Sequence, residues 1–370
     1  IPASFDLAID ALLGIGAQRP PEGVMTDWLT AMQASASPVL CIDVPTGLGA
    51  DTGEWQGPAL SPQQARHTLS LLTLKPGLFT GSGRDAAGQV WFNHLGITTP
   101  HQAPCARLQQ TSTPITAKAH NTHKGSFGDV MVIGGAPGMT GAAVLASLGA
   151  LHGGAGRVFA AVMDPAASHS ISAAHPALMV RAVDTLDFSQ ATVVCGCGGG
   201  DAIHAQLPRA LSTAHRLVLD ADALNAVARD PSLQTLLRQR HARHKPTVLT
   251  PHPLEAARLL NSTTAHVQQH RLNAAQKLAD TFQCVVVLKG SGSIIAAHAQ
   301  TPVINASGNA LLATAGTGDV LAGLLGAYMA KGLSAWEASC QATYLHGHMA
   351  DTWPAEGPAL DAAQLAASVR

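Results

Sequence analysis

Short apolar runs recur along this chain, each closing on a glycine, a carboxylate or another polar residue, with helical periodicity behind most of them. Residues 5–9 close on Asp10, 39–42 on Asp43, 130–133 on Gly134, 217–219 on Asp220, 247–249 on Thr250 and 284–288 on Lys289. Such alternation predicts a mainly parallel sheet flanked by helices, because parallel neighbours need a crossover long enough to hold a helix. In such sheets ligands bind beyond the carboxyl ends of the strands, which is where these polar residues fall.

The densest of these junctions lies late in the chain. Residues 305–331 read NASGNALLATAGTGDVLAGLLGAYMAK, with Gly316-Thr317-Gly318-Asp319 at the centre. Val320, Leu321, Leu324, Leu325 and Tyr328 recur at helical spacing, which places Asp319 in the first turn of a buried helix. Glycines allow close approach to a ligand, and the unpaired N–H groups of a helix N-terminus face negative charge. A proton acceptor would thus stand beside an anion site. An aspartate there can also be a simple cap, and the motif alone divides the two readings about evenly.

At 370 residues the chain is long for one domain, and two unequal domains are expected. Net charge is −1 and the charged residues form no basic stripe, which excludes a typical nucleic-acid binder. No apolar run is long enough to span a bilayer and no cleavable leader is apparent, so a soluble, cytoplasmic protein is expected. Ile1 stands where Met would be expected and a strand follows almost at once, so a further N-terminal segment is expected. The six cysteines include no C-x-x-C pair and read as buried thiols, and the 18 histidines form no metal pair and read mostly as surface residues.

Asp10 and Asp43 both follow strands in the first third. Singly each would read as a cap or a turn residue; together with Thr46 and the loop Gly14-Ile15-Gly16-Ala17-Gln18-Arg19-Pro20 they could hold a cation and a phosphorylated ligand. Lys75-Pro76-Gly77 reads as a turn, and residues 98–114, rich in Thr, Pro and Gln, as a linker.

In the longer region, residues 134–142 (GGAPGMTGA) and 196–200 (GCGGG) are glycine-rich turns after strands. Either could cradle a phosphate, although close helix–sheet packing would also account for the glycines. Asp220 and Asp222 are two apart and can point in opposite directions on an extended segment, so they need not share a metal, and at least one reads as a cap or turn residue. Pro251 and Pro253 hold His252 in a rigid turn beside Glu255, which suits ligand contact or a plain helix start. Lys289-Gly290-Ser291-Gly292-Ser293 emerges from the most apolar strand and reads either as a phosphate-contacting loop or as a hairpin turn.

The stretches DALLGIG (10–16), IDVPTGLGADTG (42–53) and LKPGLFTGSG (74–83) together resemble the later half of the Rossmann-like NAD(P)H-hydrate epimerase domain. HKGSFGDVMVIGG (123–135), MTGAAVLASLGAL (139–151), LVLDADALN (217–225), TPHPLEAARLL (250–260), VVLKGSGSII (286–295) and GTGDVLAG (316–323) resemble the ribokinase-like ADP/ATP-dependent NAD(P)H-hydrate dehydratases. The implied domains are residues 1–105 and 115–370. For the first, the resemblance implies that Asp10 and Thr46 hold K⁺ and that Asp43 and the loop from Gly14 to Pro20 contact substrate. The family's earlier half, which completes that site with an Asn- and Gly-rich loop, lies outside this chain, and epimerase activity is not expected of the chain alone.

For the second domain, the resemblance implies repair of hydrated nicotinamide cofactor. ADP, or ATP, would phosphorylate the hydroxyl of hydrated NADH or NADPH, and loss of phosphate would restore the ring. Asp319 would take the hydroxyl proton while Gly316, Thr317 and Gly318 stabilise the transferring group. Lys289, Gly290, Ser291, Gly292, Ser293 and Gly318 would contact the nucleotide, and Ala142, Gly198, His252 and Asp319 the hydrated dinucleotide. Mg²⁺ is expected as the phosphate counter-ion, and a homo-oligomer of four or more chains is implied. One departure stands out: Gly196-Cys197-Gly198-Gly199-Gly200 replaces the family's Gly-Pro-Gly-Leu-Gly. Two other readings of the same motifs are a ribokinase-like kinase of a vitamin precursor and an idle nucleotide-binding protein.

Overall fold

The computed structural model describes residues 5–17, 19–97, 103–109, 111 and 121–369. The chain divides into two compact units. The smaller combines residues 1–107 with 268–272 and 290–292; the larger holds 108–267, 273–289 and 293–370.

In the smaller unit, β1 (Ala8–Asp10), helix α1 (Val24–Ala34), β2 (Val39–Ile42), β3 (Arg66–Leu71), helix α2 (Gly83–Ala87) and β4 (Gln89–Asn93) follow in order. The four strands lie in sequence order and every pair is parallel. A small core of Val44, Leu48, Leu78, Ala86 and Ala87 forms where the 42–53 and 74–83 motifs pack together. Glycines permit that packing: a β-carbon on Gly77 would run into the Gly49 carbonyl. Lys75, which reads as part of a turn, is instead 8% exposed and ion-paired with Asp43.

The rest of the chain, most of it in the larger unit, opens with β5 (Arg107–Gln109), β6 (Asp129–Gly134), α3 (Thr140–His152), β7 (Arg157–Val162), α4 (Ser168–Ala174) and β8 (Met179–Val180). Next come β9 (Thr192–Cys195), α5 (Leu207–Thr213), β10 (Arg216–Leu219), α6 (Ala221–Arg229), α7 (Pro231–Ala242) and β11 (Thr247–Leu249). The chain continues through α8 (Pro253–Leu259), α9 (Thr264–Gln269), α10 (Arg271–Phe282), β12 (Val285–Leu288), β13 (Ile294–Ala296) and β14 (Val303–Asn305). It closes with α11 (Thr317–Ala330), α12 (Ala335–Asp351) and α13 (Ala362–Ala367).

The strands of this part form one sheet in the order β5-β14-β13-β12-β11-β10-β9-β6-β7-β8. From β8 to β12 all pairs are parallel, whereas β12–β13 and β13–β14 are antiparallel. Strands β9 to β12 are nearly continuous in Val and Leu and are buried along their length, as expected for a sheet covered on both faces. Each such side chain contributes about 1.5–3 kcal/mol by leaving water. The chain runs β6, β7, β8 in one direction, then returns to place β9 on the other side of β6. That reversal opens a crevice at the carboxyl ends of β6 and β9.

Helix α11 is buried on nearly every side, including Val320, Leu321, Leu324, Leu325 and Tyr328. Its small residues make this possible: a β-carbon on Gly323 would overlap the Ala146 carbonyl of α3, and one on Gly326 would come within 2.5 Å of Val194 on β9. The helix is thus seated directly on the crevice strands. No helix among the described residues is long and apolar enough to cross a membrane.

Candidate active site

Gly316 fixes where α11 begins. Its φ of 92° is left-handed, a conformation that costs other residues free energy, and a β-carbon there would press within 2.5 Å of Leu145. The first N–H groups of α11 have no intrahelical partner, so this helix start suits an anion. Asp319 follows in the first turn.

Three other strand ends meet Asp319. Beyond β9, Cys197 is fully buried, and its sulfur and carboxylate oxygens of Asp220 and Asp319 all lie within 4.8 Å of one another. Its backbone is pinned to the β6 turn, where Gly135 N–H donates to the Cys197 carbonyl at 2.9 Å and Ala136 N–H to the Gly198 carbonyl at 2.7 Å. Beyond β10, Asp220 is 1% exposed and accepts from the Lys289 ammonium, which follows β12, at 2.7 Å. A side chain on Gly318 would meet that same ammonium at 3.3 Å. Positive charge therefore stands beside the first turn of α11.

Electrostatics sort the roles. Burial, reinforced by the negative charge of Asp220, raises Asp319 to about 6, while the Cys197 thiol and Lys289 pull it back down. Such a carboxylate is ionised at neutral pH yet basic enough to take a proton. Burial works to lower Lys289, but Asp220 and Glu255 outweigh it and the ammonium is held more firmly than usual. Burial first, then Asp319 and Asp220, push the Cys197 thiol well above its ordinary value, so it remains a hydrogen donor.

The TPHP turn sits beside this group. The Lys289 N–H donates to the Pro251 carbonyl at 2.9 Å. His252 Nδ1 accepts from Leu254 N–H at 3.1 Å, the Glu255 carboxylate accepts from His252 N–H at 2.8 Å, and Nε2 lies 3.2 Å from the Glu255 carboxylate. His252 thus starts its helix, as the local reading holds, while its ring stays partly exposed beside the site. Burial raises Glu255 to about 7 although Lys289 pulls against it.

The structure joins Ala142 to Gly198 as well: a β-carbon on Gly198 would stand 2.8 Å from that of Ala142. The five-residue segment after Leu288 is both of the things it resembles, a hairpin turn between antiparallel β12 and β13 and the source of Lys289. Lys289 and Ser293 belong to the larger unit, whereas Gly290, Ser291 and Gly292 group with the smaller one. There the Thr80 hydroxyl donates to the Ser291 carbonyl at 3.3 Å.

In the smaller unit, Asp10 is 1% exposed and accepts from the Thr46 hydroxyl at 2.6 Å and from Thr46 N–H at 2.8 Å. The two residues paired by motif are therefore in contact. Asp43 has a left-handed φ of 70°, unusual for a side chain at a strand end, and its carboxylate engages Lys75 and Leu71 N–H. Gly14, Ile15, Gly16, Ala17, Arg19 and Pro20 are exposed, and Gln18 lies outside the described residues.

Asp220 and Cys197 were not singled out by the sequence as chemical groups. Asp222 takes the structural role instead, accepting from Gly200 N–H at 2.8 Å. A broad cavity of about 510 Å³ lies elsewhere, lined by Asp201, His204, Arg229 and Asp230. Its charges already pair with one another, and it contains none of the groups above.

Comparison with known proteins agrees with this geometry. Residues 130–369 match the family described as NAD(P)H-hydrate dehydratase, and residues 2–77 match that described as YjeF-related protein N-terminus. The chain is 34% identical over 362 residues to the bifunctional NAD(P)H-hydrate repair enzyme Nnr of Escherichia coli K12, covering 95% of this chain and 68% of that protein. It is 42% identical over 241 residues to the ADP-dependent (S)-NAD(P)H-hydrate dehydratase of Neisseria meningitidis serogroup B, covering 64% and 80%. The ADP/ATP-dependent NAD(P)H-hydrate dehydratase of Bacillus subtilis, co-crystallized with ATP/Mg²⁺, superposes with a TM-score of 0.60 at 28% identity, covering 68% of this chain and 91% of that one. The larger unit is ribokinase-like, as its motifs predict. The chain belongs to the NAD(P)H-hydrate dehydratase family, joined to a YjeF-related N-terminal region.

Proposed function

We propose that the chain dehydrates (6S)-hydrated NADH and NADPH, with ADP as the phosphoryl donor and ATP as an alternative donor. The observation that carries this reading is Asp319, a buried carboxylate raised to about 6, set at an anion-binding helix start beside the Lys289 ammonium. Asp319 takes the proton of the ring hydroxyl, and the oxygen attacks the terminal phosphoryl group of the nucleotide, releasing AMP from ADP. The Gly316-Thr317-Gly318 turn and Lys289 stabilise charge on the group in transit, the part of phosphoryl transfer in which positioning and electrostatics carry most of the rate. The carbon–oxygen bond then breaks with departure of phosphate, and loss of a neighbouring ring proton restores the double bond.

Ala142, Gly198 and His252 line the side assigned to the hydrated dinucleotide, and Ser293 extends the nucleotide side. Assignment of Gly290, Ser291 and Gly292 to the nucleotide rests on the motif. The Cys197–Asp220–Asp319 cluster does not suit a resident Mg²⁺, because one donor is a thiol and Asp220 is already paired with an ammonium. Mg²⁺ belongs with the nucleotide as its counter-ion, where phosphates and water supply most of its ligands. In the smaller unit the carboxylate of Asp10 and the hydroxyl of Thr46 are the hard oxygen donors that K⁺ would take, supplying local positive charge when bound. Asp43 and the 14–20 loop are assigned to the substrate of the epimerase region. Assembly into four or more copies and cytoplasmic residence belong to the same proposal and rest on the resemblance.

Incubation with hydrated NADH, Mg²⁺ and either nucleotide should restore the absorbance of reduced nicotinamide, with one phosphate released per ring repaired. No recovery with either nucleotide would overturn the proposal, and a stable phosphorylated product would indicate a kinase.

A further inference from the structure

The segment 305–309, Asn-Ala-Ser-Gly-Asn, supplies no reacting group, yet it is fastened along α12 over about two turns. Asn305 Nδ2 donates to the Thr343 carbonyl at 3.4 Å, Ser307 Oγ to the Tyr344 carbonyl at 2.8 Å and Asn309 Nδ2 to the Ala350 carbonyl at 2.9 Å. Gly308 N–H donates to the Asp351 carboxylate at 2.7 Å. Gly347 lets the segment lie flat on the helix, since a β-carbon there would stand 2.6 Å from the Ser307 carbonyl carbon. These contacts fall on both sides of His346.

His346 is 8% exposed, and its Nε2 lies 2.8 Å from the Thr317 carbonyl at the start of α11. A carbonyl only accepts, so Nε2 carries the hydrogen. Burial pushes the ring down to about 4, which keeps it neutral at pH 7, and the bond to the carbonyl selects the tautomer with hydrogen on Nε2. No cis peptide occurs among the described residues, and in a trans peptide the C=O and N–H point in opposite directions. The carbonyl held by His346 and the N–H of Gly318 belong to one such plane. To hold one is to aim the other.

We infer that His346 is a positioning residue: by anchoring the Thr317 carbonyl it fixes the Thr317–Gly318 peptide plane, so that Gly318 N–H stays directed at the phosphoryl group beside Lys289. The 305–309 segment sets the seat of α12 and so the reach of the imidazole. The role of that N–H rests on the dehydratase reading; the anchoring of the plane does not.

Two variants test it, His346→Leu, which removes the donor, and His346→Gln, whose amide N–H reaches a similar position. In the repair assay, His346→Leu should lose kcat by about 30-fold or more, in the range of a mis-aimed charge-stabilising donor. KM for the hydrate and the ADP dissociation constant from calorimetry should change by less than about threefold, as expected of a group that acts in the transition state. His346→Gln should recover at least about tenfold of the loss. A folded His346→Leu with kcat within about threefold of wild type would overturn the inference, as would failure of a folded glutamine variant to recover rate. Should His346→Leu not fold, the glutamine variant is decisive with a second readout, the ¹⁵N–¹H resonance of Gly318. That resonance should respond to ADP alike in wild type and His346→Gln, and a response in wild type lost in a folded His346→Gln overturns the proposal. If wild type repairs nothing, the dehydratase reading fails, and the Gly318 resonance in the leucine and glutamine variants decides the anchoring by itself.

Discussion

In the proposed mechanism Asp319 acts in its ionised form, and it is held where ionisation is costly. Its pKa lies at about 6 in the folded chain against an ordinary 3.8. Between these values the folded protein keeps a proton that the unfolded chain releases, so the stability this group contributes is present below about pH 4 and is lost as pH rises through about 6. Asp319→Asn should therefore abolish turnover, by at least about 10³-fold, leave ADP affinity within about threefold, and raise Tm at pH 8 but not near pH 4. Thermal melts at the two pH values check the sign. Wild-type kcat/KM should fall tenfold per unit below about pH 6, and a profile flat down to pH 5 would remove Asp319 as the base. Asp319 and Lys289 were legible in the sequence because each breaks an apolar run at a place where burial is costly for charge. Asp220 was not, because its role depends on a lysine that follows a different strand. Cys197 reads as mere looseness inside a run of glycines, and His346 lies in the middle of a helix with no local signal that it faces the start of another.

At the level of elements, the alternation of strands and helices was legible in outline, and boundaries shifted by a few residues. The first apolar run covers residues 5–9, whereas β1 spans Ala8–Asp10 and takes in the aspartate itself. The antiparallel return of β13 was legible only as the hairpin reading of residues 289–293, and that of β14 leaves no mark in composition, since an apolar run does not state its direction. Helix α7 carries a feature that pattern reading also misses. Arg240 is 1% exposed and meets carbonyls in place of a carboxylate, donating to Leu211 and Ala214 at 2.9 and 3.0 Å and to the Thr247 hydroxyl at 2.7 Å. Burial lowers it to about 10, so it remains charged throughout the physiological range. The side chain ties α7 to the end of α5 and the start of β11, and removing it leaves several buried acceptors unpaired. Arg240→Leu should destabilise the fold by about 3 kcal/mol or more, measured by urea unfolding, and a loss below about 1 kcal/mol would show that water replaces the guanidinium.

For the molecule as a whole, the crevice between β6 and β9 is the place where topology, charge and helix start coincide, and ligand binding should register there first. With ADP at about 100 times its dissociation constant, hydrogen exchange should slow by up to about 100-fold in peptides covering residues 134–142 and 316–320. Peptides over β4 (Gln89–Asn93) should change little; the absence of slowing at both crevice segments would place the nucleotide elsewhere. The sequence located that crevice because each of its turns is written locally, in glycines and polar strand ends. It did not reveal the close seating of α11 on α3, because small residues allow close packing without specifying the partner element. This seating has a consequence in time. Gly323 touches the backbone at Ala146, so the base-bearing helix meets its partner only after the intervening sheet has been synthesised and the loop between them closed. Contacts so distant along the chain form slowly. The enzyme should therefore acquire secondary structure well before activity on refolding, with the catalytic turn among the last parts to set.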